Sequence, residues 1–309
     1  MTGAGASVGE MSGRPVLAID VGGTKFEAAM VGPDGTVGER HRVETAGATG
    51  SSELADRLVS VALAASAGAD RPARVGVGTA GPFLAAGEMI APVNLPVWGG
   101  FAIRAHLADA LGLEVSVAGD AQALALGERW IGAARNCDNF LAMVVSTGIG
   151  GGLVVDGRLL RGELGNAGHL GHVVVVPDGR RCGCGGQGCV EAEASGTALR
   201  AITGADPALA SPALRRRTGT LVGRAVASVV ATLDVPLALV AGGVALGFGA
   251  DFFEAAQDEL SARARLSFAR NARIEPAALG AEGPLIGAAA LAYEAINAKL
   301  FAATNREER

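Results

Sequence analysis

Apolar runs alternate with glycine-rich breaks along the chain, and this pattern divides it into strands, tight turns and helices. Residues 16–20 (VLAID) and 26–31 (FEAAMV) are short apolar runs separated by VGGTK, which predicts two strands joined by a glycine turn. Residues 52–68 carry apolar side chains at helical spacing after a serine that can cap the helix. Further strands are predicted near 37–45, 74–81, 113–120 and 236–245, and further helices over 101–112, 121–133, 194–233, 250–267 and 283–296.

The strand, glycine turn, strand design occurs twice, at 16–31 and again at 141–155. Two such units mixed with helices predict an α/β protein with two related lobes, and the cleft between the lobes is the expected ligand site. We predict a disordered leader over 1–14, an N-terminal lobe over 15–120 and a C-terminal lobe over 121–309, with the last helix able to pack back on the N-terminal lobe.

One stretch, from Ala225 to Ala250, is apolar enough to be compared with a membrane span. Asp234 and Pro236 interrupt it, so a buried helix, a turn and a buried strand are predicted instead. The 309-residue chain has 26 basic and 31 acidic residues and a net charge of −5, which gives no basic surface for nucleic acid or for an acidic membrane. The first 14 residues lack the apolar core of a signal peptide, and we expect a cytoplasmic location.

One histidine and three cysteines are clustered in the pattern His172-x9-Cys182-x-Cys184-x4-Cys189. These ligands match a closed tetrahedral zinc site, and a metal would give local order to a glycine-rich segment that has no core of its own. The alternative is a disulfide with a spare thiol, which is less favoured because thiols stay reduced in the cytosol. Beyond a structural role, the loop over 165–195 would place His172 and Glu191 next to the chemistry.

Both glycine turns have features of phosphate sites. Asp20–Lys25 and Ser146–Gly152 present closely spaced backbone N–H groups and hydroxyls, which can hold phosphate oxygens. Asp20 adds a carboxylate suited to hydrated Mg²⁺. For either turn alone a plain tight hairpin is the simpler interpretation. The second turn is not a dinucleotide-binding fingerprint, because a strand follows it where a helix should, and neither turn is a P-loop.

Taken together, nine blocks of sequence make the chain resemble the ROK family (repressors, open reading frames, kinases), close to bacterial glucokinases, over roughly residues 15–295. The resemblance implies a two-lobed actin-like, ribonuclease-H-like α/β fold and an ATP-dependent kinase that uses Mg²⁺ and a structural Zn²⁺. The blocks are AIDVGGTK at 18–25, GVGTAGP at 76–82, PVNLPVWGGF at 92–101, GDAQALALGE at 119–128, STGIGGG at 146–152, GNAGHLGH at 165–172, CGCGGQGCVE at 182–191, LVAGGV at 239–244 and GPLIGAA at 283–289.

The resemblance also implies roles for individual residues. Asp120 matches the catalytic base, which takes the proton of the attacking hydroxyl; taken alone, an Asp before a helix is an N-cap. Gly242 and Gly243 match an adenosine-contacting turn, for which a plain strand-to-helix turn is the alternative. The implied ATP and phosphate contacts are Asp20, Gly22, Gly23, Thr24, Lys25, Thr147, Gly148 and Gly150, and the implied sugar contacts are Asn94, Gly119, Gln122, His169, His172 and Glu191.

Three sugar-contact positions depart from the family pattern. The usual Asn-Asp-x-Asn is Gly119-Asp120-Ala121-Gln122 here, and the usual Glu-x-Gly-His begins with His169. Because sugar sites discriminate through paired polar groups, we expect altered acceptor preference, such as an amino sugar or a cyclitol that mimics a sugar. Alternatively, a neutral His169 does the work of the usual carboxylate and the acceptor is an ordinary hexose.

Three functions follow from these observations. The first is transfer of the γ-phosphate to a hexose-like acceptor, at a primary hydroxyl equivalent to the 6-position. The second is a DNA-binding repressor, which is disfavoured because the first strand begins near Val16 and no basic face is present. The third is an inactive sugar sensor, against which the retained Asp120 argues. Family members form dimers or tetramers, so we expect a homodimer or homotetramer with no nucleic-acid or membrane partner.

Overall fold

The computed structural model describes residues 8–93 and 95–301. The strands are β1 Val16–Val21, β2 Lys25–Val31, β3 His41–Glu44, β4 Val75–Thr79, β5 Phe83–Leu84, β6 Met89–Ile90, β7 Val115–Gly119, β8 Phe140–Val145, β9 Ile149–Val155, β10 Arg158–Leu159, β11 Leu237–Ala241 and β12 Arg273–Pro276. The helices are α1 Val8–Ser12, α2 Ser51–Ser66, α3 Ile103–Leu111, α4 Asp120–Trp130, α5 Val190–Ala194, α6 Gly196–Thr203, α7 Pro212–Leu233, α8 Gly243–Phe248, α9 Ala250–Arg263 and α10 Gly283–Ile296.

The chain divides into two compact units that each contain a five-stranded sheet. Unit 1 comprises Met1–Arg135, Arg161–Ala167 and Ala281–Arg309, and unit 2 comprises Asn136–Leu160 and Gly168–Gly280. The strand order is β3-β2-β1-β4-β7 in unit 1 and β10-β9-β8-β11-β12 in unit 2. In both sheets a hairpin with a glycine turn is followed by two parallel strands, so the repeat seen in the sequence at 16–31 and 141–155 is a repeat of topology.

The predicted boundary at residue 120 is wrong, because α4 belongs to unit 1. Two close approaches of α10, one to α4 and one to β4, explain its place. A Cβ on Gly287 would lie 2.6 Å from the backbone carbon of Ala123, and a Cβ on Gly76 in β4 would lie 1.8 Å from the backbone oxygen of Ala288. The missing side chains therefore let α10, the last long helix, pack closely on both α4 and the sheet.

Unit 1 has helices on both faces of its sheet. Leu17, Ile19 and Val21 of β1 share an apolar cluster with α2 and α3, whereas α4 and α10 pack on the other face. Because side chains alternate along a strand, Asp20 shares the face of α4 and α10. The sheet thus directs a carboxylate toward the helix that begins at Asp120.

The predicted leader over 1–14 is wrong for the part that the structure describes. Residues Val8–Ser12 form α1, which packs on α10, and the Tyr293 hydroxyl donates a hydrogen bond to the Arg14 carbonyl at 2.9 Å. Residues 1–7 lie outside the described residues. The same hydroxyl donates to the Val31 carbonyl at 3.1 Å, so Tyr293 joins the segment before β1 to the end of β2.

The apolar stretch from Ala225 to Ala250 forms the predicted helix, turn and strand. Helix α7 ends at Leu233, Asp234 takes a left-handed conformation at φ 52°, and β11 begins at Leu237 as a buried strand. No helix among the residues that the structure describes combines the length and apolar character needed to cross a membrane. The predicted strand over 37–45 is shorter, His41–Glu44, and β12 was not predicted.

Candidate active site

The carboxyl ends of three adjacent parallel strands in unit 1 bring two aspartates to one edge. Asp20 in β1 pairs with Gly78 in β4, and Thr79 pairs with Gly119, directly before Asp120. A Cβ on Gly78 would lie 3.5 Å from the Ala123 Cβ and 4.0 Å from the Asp120 Cα, so the first turn of α4 packs directly against this buried glycine. With neighbouring strands about 4.8 Å apart, the aspartate backbones are separated by roughly 10 Å.

The two aspartates differ in environment. Burial and, after it, the negative charges of Asp120 and Glu27 raise the pKa of Asp20 to about 7, against the opposing effect of Lys25. Asp120 is exposed and its Oδ1 accepts a hydrogen bond from the Ala121 N–H at 2.7 Å, within the first turn of α4. Gly119, not Asp120, occupies the N-cap position. The simple interpretation of Asp120 as a cap is therefore wrong, and its carboxylate stands at the start of the helix and accessible from outside.

The side-chain amide of Gln122, a predicted sugar contact, is instead hydrogen-bonded to backbone groups. It is 4% exposed, its Oε1 accepts from the Gly119 N–H at 3.1 Å, and its Nε2 donates to the carbonyls of Gly165 and Ala167 at 3.1 and 2.8 Å. Three hydrogen bonds use most of what one amide can make. Gln122 therefore fixes the start of α4 to residues 165–167, all within unit 1.

The first glycine turn, residues 22–24, is held by a residue that the sequence did not single out. The Gly22 N–H donates to the Lys25 carbonyl at 3.1 Å and closes the turn. Thr45, directly after β3, donates its hydroxyl to the Gly23 carbonyl at 2.7 Å and its backbone N–H to the Thr24 carbonyl at 2.9 Å. These bonds fix two carbonyl oxygens, which would otherwise be free to turn toward a bound phosphate and repel it.

Lys25, a predicted phosphate contact, is paired with a buried carboxylate. Its Nζ lies 2.7 Å from Glu27 Oε2, and Arg42 donates to Glu27 Oε1 at 3.0 Å. Burial alone would raise the pKa of Glu27, but the hydrogen bonds and charges of Lys25 and Arg42 outweigh burial and lower it. Glu27 thus organises the cations beside the first glycine turn.

The second glycine turn, residues 146–148 between β8 and β9, is held in a similar way. The Ser146 carbonyl accepts from the Gly196 N–H at 2.7 Å, and the Thr147 carbonyl accepts from the N–H and hydroxyl of Thr197 at 3.1 and 2.9 Å. As with Thr45, a threonine uses both its backbone and its hydroxyl on the turn. Carbonyl oxygens are again held by protein donors.

A cavity of about 260 Å³ lies beside this second turn, entirely within unit 2. Gly242, at φ 101°, begins α8 where a Cβ would lie 2.3 Å from the Val145 carbonyl oxygen, so only glycine fits the close crossing of β11 and β8. Part of the cavity wall is apolar and part is the Arg200–Asp206 ion pair. The lining residues are Ser146, Thr147, Gly196, Arg200, Asp206, Pro207, Ala208, Gly243, Val244, Gly247 and Phe248.

The predicted metal ligands converge in unit 2. One donor atom from each of His172, Cys182, Cys184 and Cys189 lies within 4.8 Å of the other three. Cys184 and Cys189 Sγ are 3.9 Å apart and Cys182 Sγ is 3.6 Å from His172 Nδ1, whereas a disulfide needs about 2.05 Å. A tetrahedral zinc ion with bonds of about 2.3 Å to sulfur and 2.0 Å to nitrogen requires separations of about 3.5–3.8 Å, so the donor set fits.

The three thiols of the cluster lie in different environments. The Gly186 N–H donates to Cys184 Sγ at 3.4 Å and lowers the pKa of that thiol, whereas burial raises the pKa of Cys182 and of Cys189, the latter to about 12. The loop is anchored by Glu193, which is 2% exposed and accepts from the Arg180 N–H at 2.6 Å and from Arg217 at 2.7 Å.

The predicted sugar residues of unit 2 lie around the metal ligands. His172 directs Nδ1 toward Cys182, which leaves its other ring nitrogen for a second contact. His169 is exposed, and its ring centroid lies 6.1 Å from that of His172. Glu191 accepts a hydrogen bond through Oε2 from the Ile149 N–H at 2.8 Å. Asn94 lies outside the described residues.

The structure therefore groups the predicted residues in two sets. Asp20, the first glycine turn, Asp120 and Gln122 lie in unit 1, and the second turn, Gly243, the metal ligands and Glu191 lie in unit 2. Sequence reasoning missed Thr45, Gly78 and Thr197. Gly78 lies inside the sequence block GVGTAGP, but its position opposite Asp20 follows only from the strand register of the structure. Nothing in the sequence pointed to either threonine.

The chain is similar over most of its length to proteins of one family. The model of the ROK family matches residues 16–295. The chain is 38% identical to a glucokinase of Thermotoga maritima over 186 residues, 60% of this chain and 58% of that protein. It is 34% identical to an N-acetylmannosamine kinase of Shigella flexneri over 251 residues, 76% of this chain and 84% of that protein.

A solved structure supports the same assignment. A ROK family glucokinase from Streptomyces griseus, in complex with glucose and AMPPNP, is 28% identical with a TM-score of 0.78, covering 91% of this chain and 99% of that one. The predicted two-lobed actin-like α/β fold is thereby confirmed. The matched span and the relatives together show that this chain belongs to the ROK family.

Proposed function

We propose that the protein is an ATP-dependent kinase that transfers the γ-phosphate to a primary, 6-position-like hydroxyl of a hexose or hexose-like acceptor. The observation that carries this proposal is the exposed Asp120 carboxylate at the same sheet edge as Asp20 and the first glycine turn. A base must be reachable by the acceptor, and a metal-binding carboxylate must stand near the phosphates. The similarity to named sugar kinases supports the same reaction.

In this reaction Asp120 takes the proton of the acceptor hydroxyl as its oxygen attacks the γ-phosphorus. The new bond joins the acceptor oxygen to phosphorus, the bond from phosphorus to the β,γ-bridging oxygen breaks, and ADP leaves with that electron pair. The Ala121 N–H bond orients the Asp120 carboxylate. Gly78 lets the start of α4, which carries Asp120, pack closely against the sheet.

The phosphates are assigned to the backbone N–H groups of Gly23 and Thr24 in the first turn and of Thr147 and Gly148 in the second. Gly22, whose N–H is donated to the Lys25 carbonyl, and Gly150, which is paired with Val144, are assigned to these phosphates only through close approach of their backbone. The adenosine is assigned to the cavity beside Gly243, with Gly242 shaping it. Lys25 is assigned to these phosphates as well. Because its ammonium group is paired with Glu27, it would attract the phosphates through its charge and not as an unpaired cation.

The chemistry near Asp20 suits Mg²⁺. A carboxyl group whose pKa is raised to about 7 by burial and by a neighbouring carboxylate is stabilised when a cation compensates its charge. Asp20 would hold the ion through its water shell, and the ion would neutralise charge on the transferring phosphoryl group. A structural Zn²⁺ held by His172 and the three cysteines would brace the loop that carries the acceptor contacts.

On the acceptor side, His172 and Glu191 are assigned to hydroxyls, with Asn94, Gly119 and His169 as further contacts. The free ring nitrogen of His172 is available while Nδ1 serves the metal. Gln122 is assigned an indirect role, because its amide is committed to backbone groups around Asp120.

An amino sugar or sugar-mimicking cyclitol is the second candidate acceptor. Gly119 has no side chain and Gln122 is not free, so the site beside Asp120 offers fewer side-chain hydrogen bonds and more room than the family pattern. A larger or altered substituent on the ring is compatible with this. The third candidate, an inactive sugar sensor, would bind sugar and nucleotide without turnover.

The test is a coupled assay of ADP release with Mg²⁺-ATP across glucose, mannose, N-acetylmannosamine, other amino sugars and inositols. Turnover that requires an acceptor supports the kinase, and the acceptor with the highest kcat/KM identifies the substrate class. Binding of sugar and nucleotide without acceptor-dependent ADP release would favour the sensor and refute the kinase. Light scattering in the same samples tests the expected homodimer or homotetramer.

A further inference from the structure

Glu191 lies directly after the last metal ligand and reaches the second glycine turn. It is in the first turn of α5, two residues beyond Cys189. Its Oε2 accepts a hydrogen bond from the N–H of Ile149, the first residue of β9, which directly follows the turn 146–148. One carboxylate thus links the metal-ligand segment to the turn.

The packing around this bond leaves little freedom. A Cβ on Gly148 would lie 2.9 Å from Glu191 Oε2, and a Cβ on Gly171 would lie 2.1 Å from the Ile149 carbonyl oxygen and 3.4 Å from Glu191 Cβ. The carboxylate therefore fits against the turn from one side. Gly196 and Thr197 hold the carbonyls of the turn from the other.

The hydrogen bond also decides which N–H groups are free for a ligand. Because the Ile149 N–H is already donated to a carboxylate, phosphate contacts of this turn fall to Thr147 and Gly148. A charge-assisted bond of this kind is stronger than a neutral one and fixes orientation as well. Among the residues that the structure describes, the second oxygen, Oε1, has no hydrogen-bond partner, so it is available to an acceptor hydroxyl.

We propose that Glu191 is a positioning residue for the second glycine turn, through Ile149, in addition to its place among the acceptor contacts. The nucleotide role of that turn rests on the proposed function. The consequence is that Glu191 sets nucleotide affinity even when no acceptor is bound. A residue that served the acceptor alone would leave nucleotide affinity unchanged.

The experiment measures binding of Mg²⁺-AMP-PNP by calorimetry, without any sugar, to wild type and to E191Q, E191D and E191A. E191Q keeps an amide oxygen at the right reach, so its Kd should stay within about twofold. E191A removes the carboxylate oxygen that accepts the Ile149 hydrogen bond. E191D keeps the charge, but its side chain is one methylene shorter and does not reach the Ile149 N–H. Both should weaken binding roughly 5- to 20-fold, as expected for loss of one hydrogen bond.

Hydrogen exchange at the Ile149 amide gives a readout that does not depend on the nucleotide. Protection should persist in E191Q and fall in E191A and E191D. E254A, which removes an exposed carboxylate on α9, is the matched control and should match wild type in both measurements. Circular dichroism and metal content identify a variant that fails to fold. If E191A fails to fold, E191D alone tests the proposal.

Unchanged Kd and unchanged Ile149 protection in E191A and E191D would overturn the positioning role. If wild type itself binds no AMP-PNP, the proposed function fails instead. In that case the exchange measurement still decides whether Glu191 holds the turn.

Discussion

Asp20 and Asp120 lie on one edge of the same sheet, two strands apart, with Gly78 between them in the strand register. The charge of Asp120 contributes to the raised pKa of Asp20, which shows that the two carboxylates act on each other. Any side chain at position 78 would enter the space beside Ala123 and Asp120. A buried and an exposed carboxylate at the same sheet edge suit one group that holds a cation and one that accepts a proton.

Replacing Asp120 by Asn should therefore stop phosphoryl transfer while nucleotide binding remains. Loss of a positioned base costs about 10²- to 10⁴-fold in kcat. The measurements are acceptor-dependent ADP release and AMP-PNP affinity. D109N, on the exposed face of α3, is the control and should retain full activity. A D120N enzyme with normal kcat would remove Asp120 from the role of base.

Thr45 and Thr197 should each matter for ATP through the carbonyls that they hold. T45V and T197V keep the shape of the side chain but lose the hydroxyl donor, and each should raise the KM for ATP roughly 5- to 10-fold with a smaller effect on the acceptor KM. Serine at either position keeps the donor and should restore most of the affinity.

Equal changes in both KM values, or no rescue by serine, would mean that the threonines support folding rather than the turns. Thermal melting of the same four variants separates these cases, since a stability defect lowers the midpoint whether or not ATP is present.

The alternation of strands, glycine turns and helices was enough to predict the hairpins β1–β2 and β8–β9, their repetition, and the convergence of His172 with the three cysteines. These features depend on local pattern and spacing. What the sequence could not give depends on tertiary approach: α4 in unit 1 follows from the glycine contacts of α10, and the commitment of Gln122 to Gly165 and Ala167 requires segments 43 and 45 residues away. Thr45 became relevant only once β3 was paired with β2.

Replacing Cys184 by Ser should release the metal and loosen the loop. The exposed Arg180 and Arg181 lie between His172 and the three cysteines, so faster tryptic cleavage there, with loss of zinc by elemental analysis, is the expected result. C137S, outside the ligand set, should retain both zinc and protection. The Glu193–Arg217 pair should keep the base of the loop in place, so far-UV circular dichroism should change little. Full zinc retention in C184S would contradict the assigned ligand set.

Replacing Glu27 by Gln should destabilise the protein most at neutral pH. The neutral amide leaves Lys25 and Arg42 without their counter-charge, and because these two side chains are 38% and 52% exposed the cost is about 1 kcal/mol. Because the pKa of Glu27 is lowered in the fold, its contribution is present above its ordinary value of 4.5 and is lost as pH falls through the folded value. The difference in stability between wild type and E27Q should therefore shrink on acidification below about pH 4. Urea unfolding at pH 7 and at pH 3.5 measures it, and a difference that grows with acid would contradict the sign.

Replacing Gly287 by Ala tests whether the close packing of α10 on α4 supports the catalytic edge. The new Cβ would meet the Ala123 backbone at 2.6 Å, and backbone cannot yield as a flexible side chain can. Overpacking of this kind costs about 1–3 kcal/mol, and the shift of α4 would move Asp120 and lower kcat. The matched control is G13A, at an exposed position of the same unit, where the nearest atoms to the added Cβ are 3.8 Å away and a Gly→Ala change at a compatible backbone is neutral or stabilising. A G287A protein with the melting temperature and kcat of wild type would show that α10 is not what positions the start of α4.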